Sequence, residues 1–289
     1  SEGAIIFPGS KYGLHDRVFI NSKGYPTYEA KELALAEKRY KKYHPDAIIH
    51  VVGKEQTEYF KVVFKAMEQV IPESIGKSQH LAGGYLQLKG GKKMSSRAGQ
   101  VVAGDELLKM VEEEIVELMK ERKIKNKKET VRRLTNAVLK YSMLKAKVSQ
   151  DVAFDLEESM SFTGDSGPYL LYIVARINSI LKKSKVTRGV IPAKAGIQDV
   201  KIEVQEKQLL LELARFGEAT QKAVEEKDPS QVAKYLFNLA QAFNNFYQTC
   251  SVLQAEGVIK NFRLQLVVKV REVMTCGLGL LGIETVEDI

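Results

Sequence analysis

The sequence predicts an α/β fold in its first part and an all-α helical bundle in its last part. Residues 46–53, DAIIHVVG, are a compact apolar run that is typical of a fully buried parallel strand. The run ends at Gly53, and the residues that follow are apolar at helical spacing. From Gly104 onward the apolar residues recur at helical spacing almost throughout. A strand, a glycine and a helix in this order predict one unit of a doubly wound sheet, where ligands bind at the carboxyl ends of the strands.

Three shorter runs complete the predicted α/β part. AIIF (4–7) and RVFI (17–20) read as strands, and the NSKG that follows the second run is a turn. GYLQL (84–88) reads as a further strand.

The remaining elements are predicted as helices. The first begins near Gly104 with Asp105 as its N-cap, and the second covers residues 130–148. The acidic, glycine-containing residues 151–167 interrupt the periodicity and mark the main boundary. Further helices begin near Pro168, near Gln205 and at Asp228, where Asp228 caps and Pro229 takes the first helical position. The last helix is predicted from about Asn261 to Leu281, with a stop at Gly282.

The composition narrows the class of protein. The chain has 289 residues, of which 44% are hydrophobic and 28% are charged, and its net charge is +8. A moderate positive balance favours polyanionic partners without establishing them. The charge is concentrated in residues 120–133 and 182–188, and each segment by itself fits a solvated face better than an RNA contact. No apolar run is long enough to span a bilayer and the start has no signal-peptide pattern, so a cytoplasmic protein is expected. Cys250 and Cys276 are far apart, which predicts two small buried hydrophobic side chains rather than a disulfide or a zinc site.

The loop GGKKMSSRAG (90–99) has a composition that suits an anion. Glycines allow close backbone approach, cationic side chains oppose negative charge, and hydroxyl groups donate hydrogen bonds. The order of its lysines and serines differs from that of a Walker P-loop. On this chemistry alone, an exposed, positively charged turn remains an equally open interpretation.

Five separated stretches resemble arginyl-tRNA synthetases. KMSSR is similar to the KMSKS signature of class I aminoacyl-tRNA synthetases. The other four stretches are GYPTYEAKELAL, HVVGKEQTEYFKVVFKA, SFTGDSGPYLLYIVARI, and LAQAFNNFYQTC with the terminal GLLGIE. The family blocks stand in the expected order and cover essentially the whole chain. The resemblance implies ATP-dependent activation of arginine through arginyl-adenylate and transfer to tRNA-Arg.

The resemblance assigns the loop to the nucleotide. It implies that positive charge on a mobile loop stabilises the reacting phosphates of ATP, which is bound with Mg²⁺ as a substrate. The second lysine of the family signature is Ser96 here, so Arg97, Lys92 or a group elsewhere must supply that charge. The implied catalytic residues are Lys93, Ser95, Ser96 and Arg97, and the implied ATP-binding residues are His50, Gly53 and Met94.

The resemblance also implies a pocket for the substrate arginine. A guanidinium is a planar cation with five donors, so its selection needs fixed acceptors. Tyr28, Glu32 and Gln56 match the family's arginine-contacting tyrosine, acid and glutamine, although the usual acid is aspartate. The residues alone suggest instead that Tyr28 is a core residue, that Glu32 is solvated and that Gln56 only begins a helix.

The last part resembles the family's anticodon-binding bundle. Its aromatic stripe (Tyr235, Phe237, Phe243, Phe246 and Tyr247) is expected to be mostly core, with one or two members available to stack on unpaired bases. The candidate tRNA contacts are Tyr247, Arg263 and Arg271.

The family's His-x-Gly-His signature is absent from the chain. The sequence therefore resembles a C-terminal portion, and we expect no arginine activation by this chain alone. The expected division is the second half of the catalytic domain in residues 1–103, a helical connector in 104–160 and the anticodon-binding bundle in 161–289. The expected partners are tRNA-Arg, arginine and ATP; no membrane, no zinc and no tightly bound cofactor are expected, and the protein is expected to be a monomer. Two alternatives remain: a non-catalytic RNA-binding or scaffolding module of synthetase ancestry, and a cysteinyl-tRNA synthetase, against which the two isolated cysteines argue.

Overall fold

A computed structural model describes residues 2–89, 103–184 and 202–289. The chain divides into two compact units. The first unit consists of Ser1–Tyr85 and Val148–Asp151, and the second consists of Leu86–Lys147 and Val152–Ile289.

The first unit contains the predicted strand–glycine–helix arrangement. β1 (Ile5–Phe7) pairs antiparallel with β2 (Arg17–Ile20), and β3 (Ile48–Gly53) pairs parallel with β4 (Ser78–Gly83). The helices of this unit are α1 (Tyr28–Tyr43) and α2 (Thr57–Val70), and α2 connects the two parallel strands. The two helices share a small apolar core made of Ala36, Tyr40, Val63 and Met67. The predicted strand–glycine–helix unit is therefore confirmed, whereas the returning strand β4 was not predicted.

The prediction that β3 is buried on both faces is wrong. Ile49 is 45% exposed and Val51 is 66% exposed. Successive side chains of a strand point to opposite faces of the sheet. Ile48 and His50 contact residues of α1 and α2, so Ile49 and Val51 point to the opposite face. One face of this parallel pair is thus apolar and open.

The second unit is built around one contiguous helical core. Its two short strands, β5 (Leu86–Leu88) and β6 (Val152–Phe154), pair in parallel. Its helices are α3 (Gly104–Leu118), α4 (Lys127–Leu144), α5 (Leu156–Met160), α6 (Gly167–Lys183), α7 (Val204–Ala214), α8 (Phe216–Glu226), α9 (Ser230–Thr249) and α10 (Gly257–Leu280). A single cluster of buried side chains runs from Leu107 on α3 to Val286 beyond α10. The predicted helical bundle is confirmed, whereas β6, the short helix α5 and the separate helix α8 were not predicted.

Several predicted helix ends differ from the observed ones. α4 ends at Leu144 rather than at Val148. Val148 instead lies beyond the helix, where its carbonyl accepts a hydrogen bond from the backbone N–H of Gly84, at 2.8 Å. Asp105 is not an N-cap, since α3 already begins at Gly104. Asp228 does cap: its Oδ1 accepts a hydrogen bond from the N–H of Ser230, at 3.0 Å.

Two further boundaries complete this comparison. α9 begins at Ser230, one residue after Pro229, and α10 begins at Gly257, four residues before the predicted start. Gly282 follows α10 with a φ of 67°, the left-handed conformation expected of a helix-ending glycine.

Candidate functional site

The predicted nucleotide loop lies outside the described residues. This applies to Lys93, Met94, Ser95, Ser96 and Arg97. The strand before the loop, β5, ends at Leu88, and the following Lys89 pairs through Nζ with Asp155 Oδ2 at 2.7 Å. The hydrogen bond from Lys89 lowers the pKa of Asp155 below its ordinary value. Lys89 is therefore engaged by a carboxylate at the base of the loop.

The carboxyl ends of β3 and β4 form a polar edge in the first unit. The two strands end side by side, with Gly53 opposite Gly83. Directly after Gly53, Lys54 Nζ lies 2.8 Å from Asp151 Oδ1. The hydroxyl group of Tyr85 donates to Glu55 Oε2 at 2.8 Å, and this hydrogen bond lowers the pKa of Glu55. Gly53 thus occupies the strand end where doubly wound sheets bind ligands.

Gly53 lies against the side chain of Glu55. A Cβ atom at this position would lie 2.3 Å from Glu55 Oε2. A larger residue here would therefore displace the exposed Glu55 side chain.

A partly buried carboxylate lies next to this strand. Glu32 on α1 is half-buried, and its Oε2 atom is buried without a hydrogen-bond partner. Nε2 of His50 on β3 is likewise buried without a partner. Burial lowers the pKa of His50, and the negative charge of Glu32 partly opposes this effect. Glu32 and His50 therefore act on each other, and each has an unused hydrogen-bonding atom.

Tyr59 on α2 borders the same carboxylate. Burial raises the pKa of Tyr59 to about 12, and the charges of Glu32 and Glu29 contribute to the increase. The neutral phenol is therefore strongly favoured beside these two glutamates.

The other two predicted arginine contacts begin helices. Tyr28 is the first residue of α1, is 78% exposed, and lies with its ring centroid 5.3 Å from Lys31 Nζ. Gln56 is exposed at the N-cap position of α2. Without the resemblance, Tyr28 was expected to be a core residue and Glu32 to be solvated. Both expectations are wrong, because Tyr28 is exposed and Glu32 is half-buried. The expectation that Gln56 begins a helix is right.

Sequence reasoning missed Arg17 and Glu29. Nη1 of Arg17 on β2 lies 3.1 Å from Glu29 Oε1, and the Arg17 Cζ atom lies 5.3 Å from the centroid of the Tyr59 ring. Glu29 stands three residues before Glu32, hence on the same face of α1. That spacing was the available signal.

In the second unit, a polar and aromatic cluster joins α6 and α9. The Arg176 Cζ atom lies 4.7 Å from the centroid of the Tyr247 ring, and Arg176 Nη1 donates to Asn244 Oδ1 at 3.2 Å. Asn244 Nδ2 in turn lies 2.8 Å from the hydroxyl oxygen of Tyr169. Tyr247 also stacks on Phe243, with the ring centroids 6.0 Å apart. Tyr247 had been predicted here, but Arg176, Asn244 and Tyr169 had not.

Close helix packing fixes the start of α6 in this cluster. A Cβ atom on Gly167 would lie 2.2 Å from the carbonyl oxygen of Ala137 on α4, so only glycine fits at this contact. The side-chain oxygen of Ser166 caps the helix by accepting from the N–H of Tyr169, at 3.2 Å. Tyr169 is thereby held at the first turn of α6.

The two arginines of α10 that are predicted to contact tRNA lie in different environments. Arg263 Nε lies 2.6 Å from Oε1 of the buried Glu206, and its Nη1 donates to the carbonyl of Ser251 at 2.8 Å. Arg271 is half-exposed and makes no ion pair with any residue in the described ranges. Arg263 is thus part of the bundle's internal structure, while Arg271 has unused donors.

The aromatic stripe of α9 is mostly core, as predicted. Tyr235, Phe243 and Phe246 are buried, whereas Phe237 and Tyr247 are only partly buried. The expectation that both cysteines are buried is right for Cys250 and wrong for Cys276, which is exposed.

Metal-ligating clusters and membrane-spanning helices are absent from the described residues. Within them, no group of three or more histidine, cysteine or acidic side chains is arranged to hold a metal ion. In the same ranges, no helix has the length and apolar character needed to cross a bilayer.

Comparison with known proteins identifies the family. The family model described as "tRNA synthetases class I (R), catalytic domain" matches residues 1–156, which is more than half of the chain. The chain belongs to the class I arginyl-tRNA synthetase family. A second family model, described as "DALR anticodon binding domain", matches residues 170–289.

Individual relatives agree with this assignment. The chain is 33% identical to the arginine–tRNA ligase of Clostridium perfringens over 296 residues, covering 100% of the chain and 51% of the relative. It is 33% identical to the arginine–tRNA ligase of Treponema denticola over 261 residues, covering 88% of the chain and 44% of the relative. The solved structure of the Thermus thermophilus arginyl-tRNA synthetase superposes with a TM-score of 0.85 at 26% identity, covering 99% of this chain and 54% of that one. The chain thus spans about half the length of the curated relatives that it matches.

Proposed function

We propose that this chain is the part of an arginine–tRNA ligase that carries the arginine pocket, the nucleotide loop and the anticodon-binding bundle. The whole enzyme would activate arginine with ATP through arginyl-adenylate and transfer it to tRNA-Arg in the cytoplasm. The observation that carries the proposal is the Glu32 carboxylate, which has a buried oxygen without a partner and acts on His50 and Tyr59 of a βαβ unit. A buried acceptor without a partner is costly, and a cationic donor from a ligand would satisfy it.

The proposed division of labour in the active site follows the chemistry. Glu32 accepts hydrogen bonds from the substrate guanidinium, with Tyr28 and Gln56 at the adjoining helix starts as further contacts. His50 and Gly53 adjoin the nucleotide. Mg²⁺ arrives with ATP, because this ion is held largely by phosphates and water. Lys93, Met94, Ser95, Ser96 and Arg97 form the nucleotide loop, where Lys93 and Arg97 supply positive charge that opposes the phosphates as adenylate is transferred.

We propose that the cluster of Tyr247, Arg176, Asn244 and Tyr169 binds an unpaired base of tRNA-Arg. A tyrosine ring and a guanidinium plane both stack on bases, and Asn244 links Arg176 to Tyr169 and so fixes the guanidinium. Arg271 and Arg263 are proposed as phosphate contacts on α10. Arg271 has the stronger support, because the guanidinium of Arg263 is paired with Glu206.

The tRNA proposal is tested by the anticodon dependence of binding. We expect the chain to bind tRNA-Arg more tightly than a tRNA-Arg transcript with an altered anticodon, and Arg176→Ala to reduce that preference. Lys222→Ala, on the exposed surface of α8, is the matched control. Equal affinity for any structured RNA would instead support the second candidate, a non-catalytic RNA-binding or scaffolding module, which the net charge of +8 also permits.

We further propose that the chain alone does not activate arginine. The open apolar face of β3 supports this, because parallel sheets are normally covered on both faces and an uncovered face indicates an incomplete catalytic fold. Arginine-dependent ATP–pyrophosphate exchange should be absent, with or without tRNA. Exchange above the background of a Lys93→Ala variant would contradict the proposal.

The proposed domain limits are residues 1–103 for the catalytic part, 104–160 for a helical connector and 161–289 for the anticodon-binding bundle. A monomer is proposed for the chain in solution, and analytical ultracentrifugation would test it.

A further inference from the structure

The first turns of α1 contain two glutamates, of which one pairs with a cation and the other has an oxygen without a partner. Glu29 and Glu32 stand three residues apart, so their carboxylates lie on the same face of the helix. The Glu29 side chain is 12% exposed and pairs with Arg17. The buried Oε2 atom of Glu32 has no partner. One carboxylate is therefore neutralised from within the protein, and the other is not.

The partner of Glu29 has the same chemical group as the proposed substrate. The Arg17 guanidinium donates through Nη1 to Glu29 Oε1 at 3.1 Å and lies over the Tyr59 ring at 5.3 Å. A carboxylate and an aromatic face are the two features that proteins use to hold a guanidinium. The structure thus contains a bound guanidinium of its own at the edge of the pocket.

Both glutamates act on the same ring. The charges of Glu32 and Glu29 each raise the pKa of Tyr59, and Arg17 opposes them. Glu32 also acts on His50 on β3, as do Arg39 and His80. Arg17 is the cation that acts on Tyr59 together with both glutamates. Glu32 lies one helical turn from Glu29 on the same face of α1 and acts on the same Tyr59 ring, so it is an acceptor for the Arg17 guanidinium when Glu29 no longer holds it.

We propose that Glu29 and Arg17 are positioning residues of the arginine pocket, because Glu29 holds the Arg17 guanidinium against Tyr59 and so keeps Glu32 open for the guanidinium of the substrate. The inference rests on the proposed role of Glu32 in the arginine pocket. It adds that the pocket must exclude a competing guanidinium of the protein itself. A tethered competitor acts at millimolar effective concentration or above, which is enough to compete with a weakly bound amino acid.

The experiment measures arginine binding to the chain by saturation-transfer NMR, with citrulline as the uncharged analogue. Glu29→Gln should weaken arginine binding about tenfold, since the released Arg17 pairs with Glu32. Removing both partners in Arg17→Gln/Glu29→Gln should restore the affinity to within about threefold of the wild type, because the competitor and its holder are both gone. Glu37→Gln, which breaks an exposed ion pair with Lys41 on the same helix, is the matched control and should change nothing.

The single variant Arg17→Gln gives a second readout. It leaves Glu29 and Glu32 on the same face of α1 without the guanidinium that pairs with Glu29, and a nearby like charge disfavours the ionised form of a carboxyl group. The pH below which arginine binding is lost should rise by about one unit, and Arg17→Gln/Glu29→Gln should reverse the rise. A purely structural role for the ion pair would not produce this reversal.

Each possible result decides a different question. If Glu29→Gln binds arginine like the wild type, or if the double variant binds as weakly as Glu29→Gln, the inference is overturned and the arginine pocket stands. If the wild type does not distinguish arginine from citrulline, the pocket itself is refuted, and with it both the proposed function and the inference. Circular dichroism melting of each variant confirms that it is folded.

Discussion

Replacing Arg263 should destabilise the second unit before it affects any ligand. Arg263 Nε lies 2.6 Å from Oε1 of Glu206, which is 1% exposed, and the other Glu206 oxygen accepts from the N–H of Glu203 at 2.7 Å. In Arg263→Gln the Glu206 carboxylate stays buried without its counter-charge. Removing one partner of a buried ion pair costs about 3–5 kcal/mol.

This loss of unfolding free energy corresponds to a lower melting temperature. For a unit of this size, 1 kcal/mol shifts the melting temperature by about 2–4 °C, so Arg263→Gln should lower it by roughly 10 °C. The double variant Glu206→Gln/Arg263→Gln leaves no unpaired charge and should be less destabilised than the single variant. The surface variant Arg271→Gln should stay within about 0.5 kcal/mol of the wild type.

Urea unfolding monitored by circular dichroism measures all three variants, and tRNA-Arg binding is measured below the unfolding transition. A loss of less than about 1 kcal/mol in Arg263→Gln would refute the assignment of a structural ion pair. If tRNA affinity fell at unchanged stability, Arg263 would instead be a tRNA contact, as the sequence suggested.

Two other predictions follow from the charges of the described residues. The pKa of Tyr59 is raised from 10.0 to about 12, so the stability that Tyr59 contributes is fully present below pH 10 and is lost as the pH rises through about 12. In Tyr59→Phe, the free energy of unfolding should therefore fall less between pH 10 and pH 12 than in the wild type. An unchanged pH dependence would contradict the burial of the ring beside two glutamates. Residues 120–133 contain eight lysines and arginines and two glutamates, so they carry a net +6 of the chain's +8, and Lys123, Lys125 and Lys128 are exposed without ion pairs to described residues. Replacing these three lysines with glutamine should reduce the slope of log tRNA affinity against log salt concentration by about one per lysine. Replacing Lys207, Lys222 and Lys234 with glutamine should leave that slope unchanged. Equal slopes for the two triple variants would mean that residues 120–133 are only a solvated surface.

Periodicity predicted the elements well because it reports local burial. Strand, glycine and helix were placed correctly around Gly53, as were the helix stop at Gly282 and most helices of the bundle. The errors arose where distant contacts are involved. Val148 lies outside its predicted helix, and its carbonyl pairs with Gly84, more than sixty residues away in sequence. The open face of β3 could not be predicted either, since an apolar run does not reveal what covers it.

The candidate site was predicted only in part, for a similar reason. The resemblance supplied Glu32 and Tyr247, but no local pattern indicates that Arg17 reaches Glu29 or that Arg176 lies over Tyr247. Arg263 is a further example. It is predicted as a tRNA contact, and no local pattern indicates that Glu206, 57 positions earlier in the sequence, pairs with it.

The central claim is that Glu32 is a vacant carboxylate for a guanidinium, and isothermal titration of the chain with arginine tests it most directly. The account predicts that the wild type binds arginine and not citrulline, and that Glu32→Gln loses at least tenfold in arginine affinity, because a charge-assisted hydrogen bond contributes about 1.5–3 kcal/mol. Arginine affinity that is unchanged in Glu32→Gln would contradict the claim.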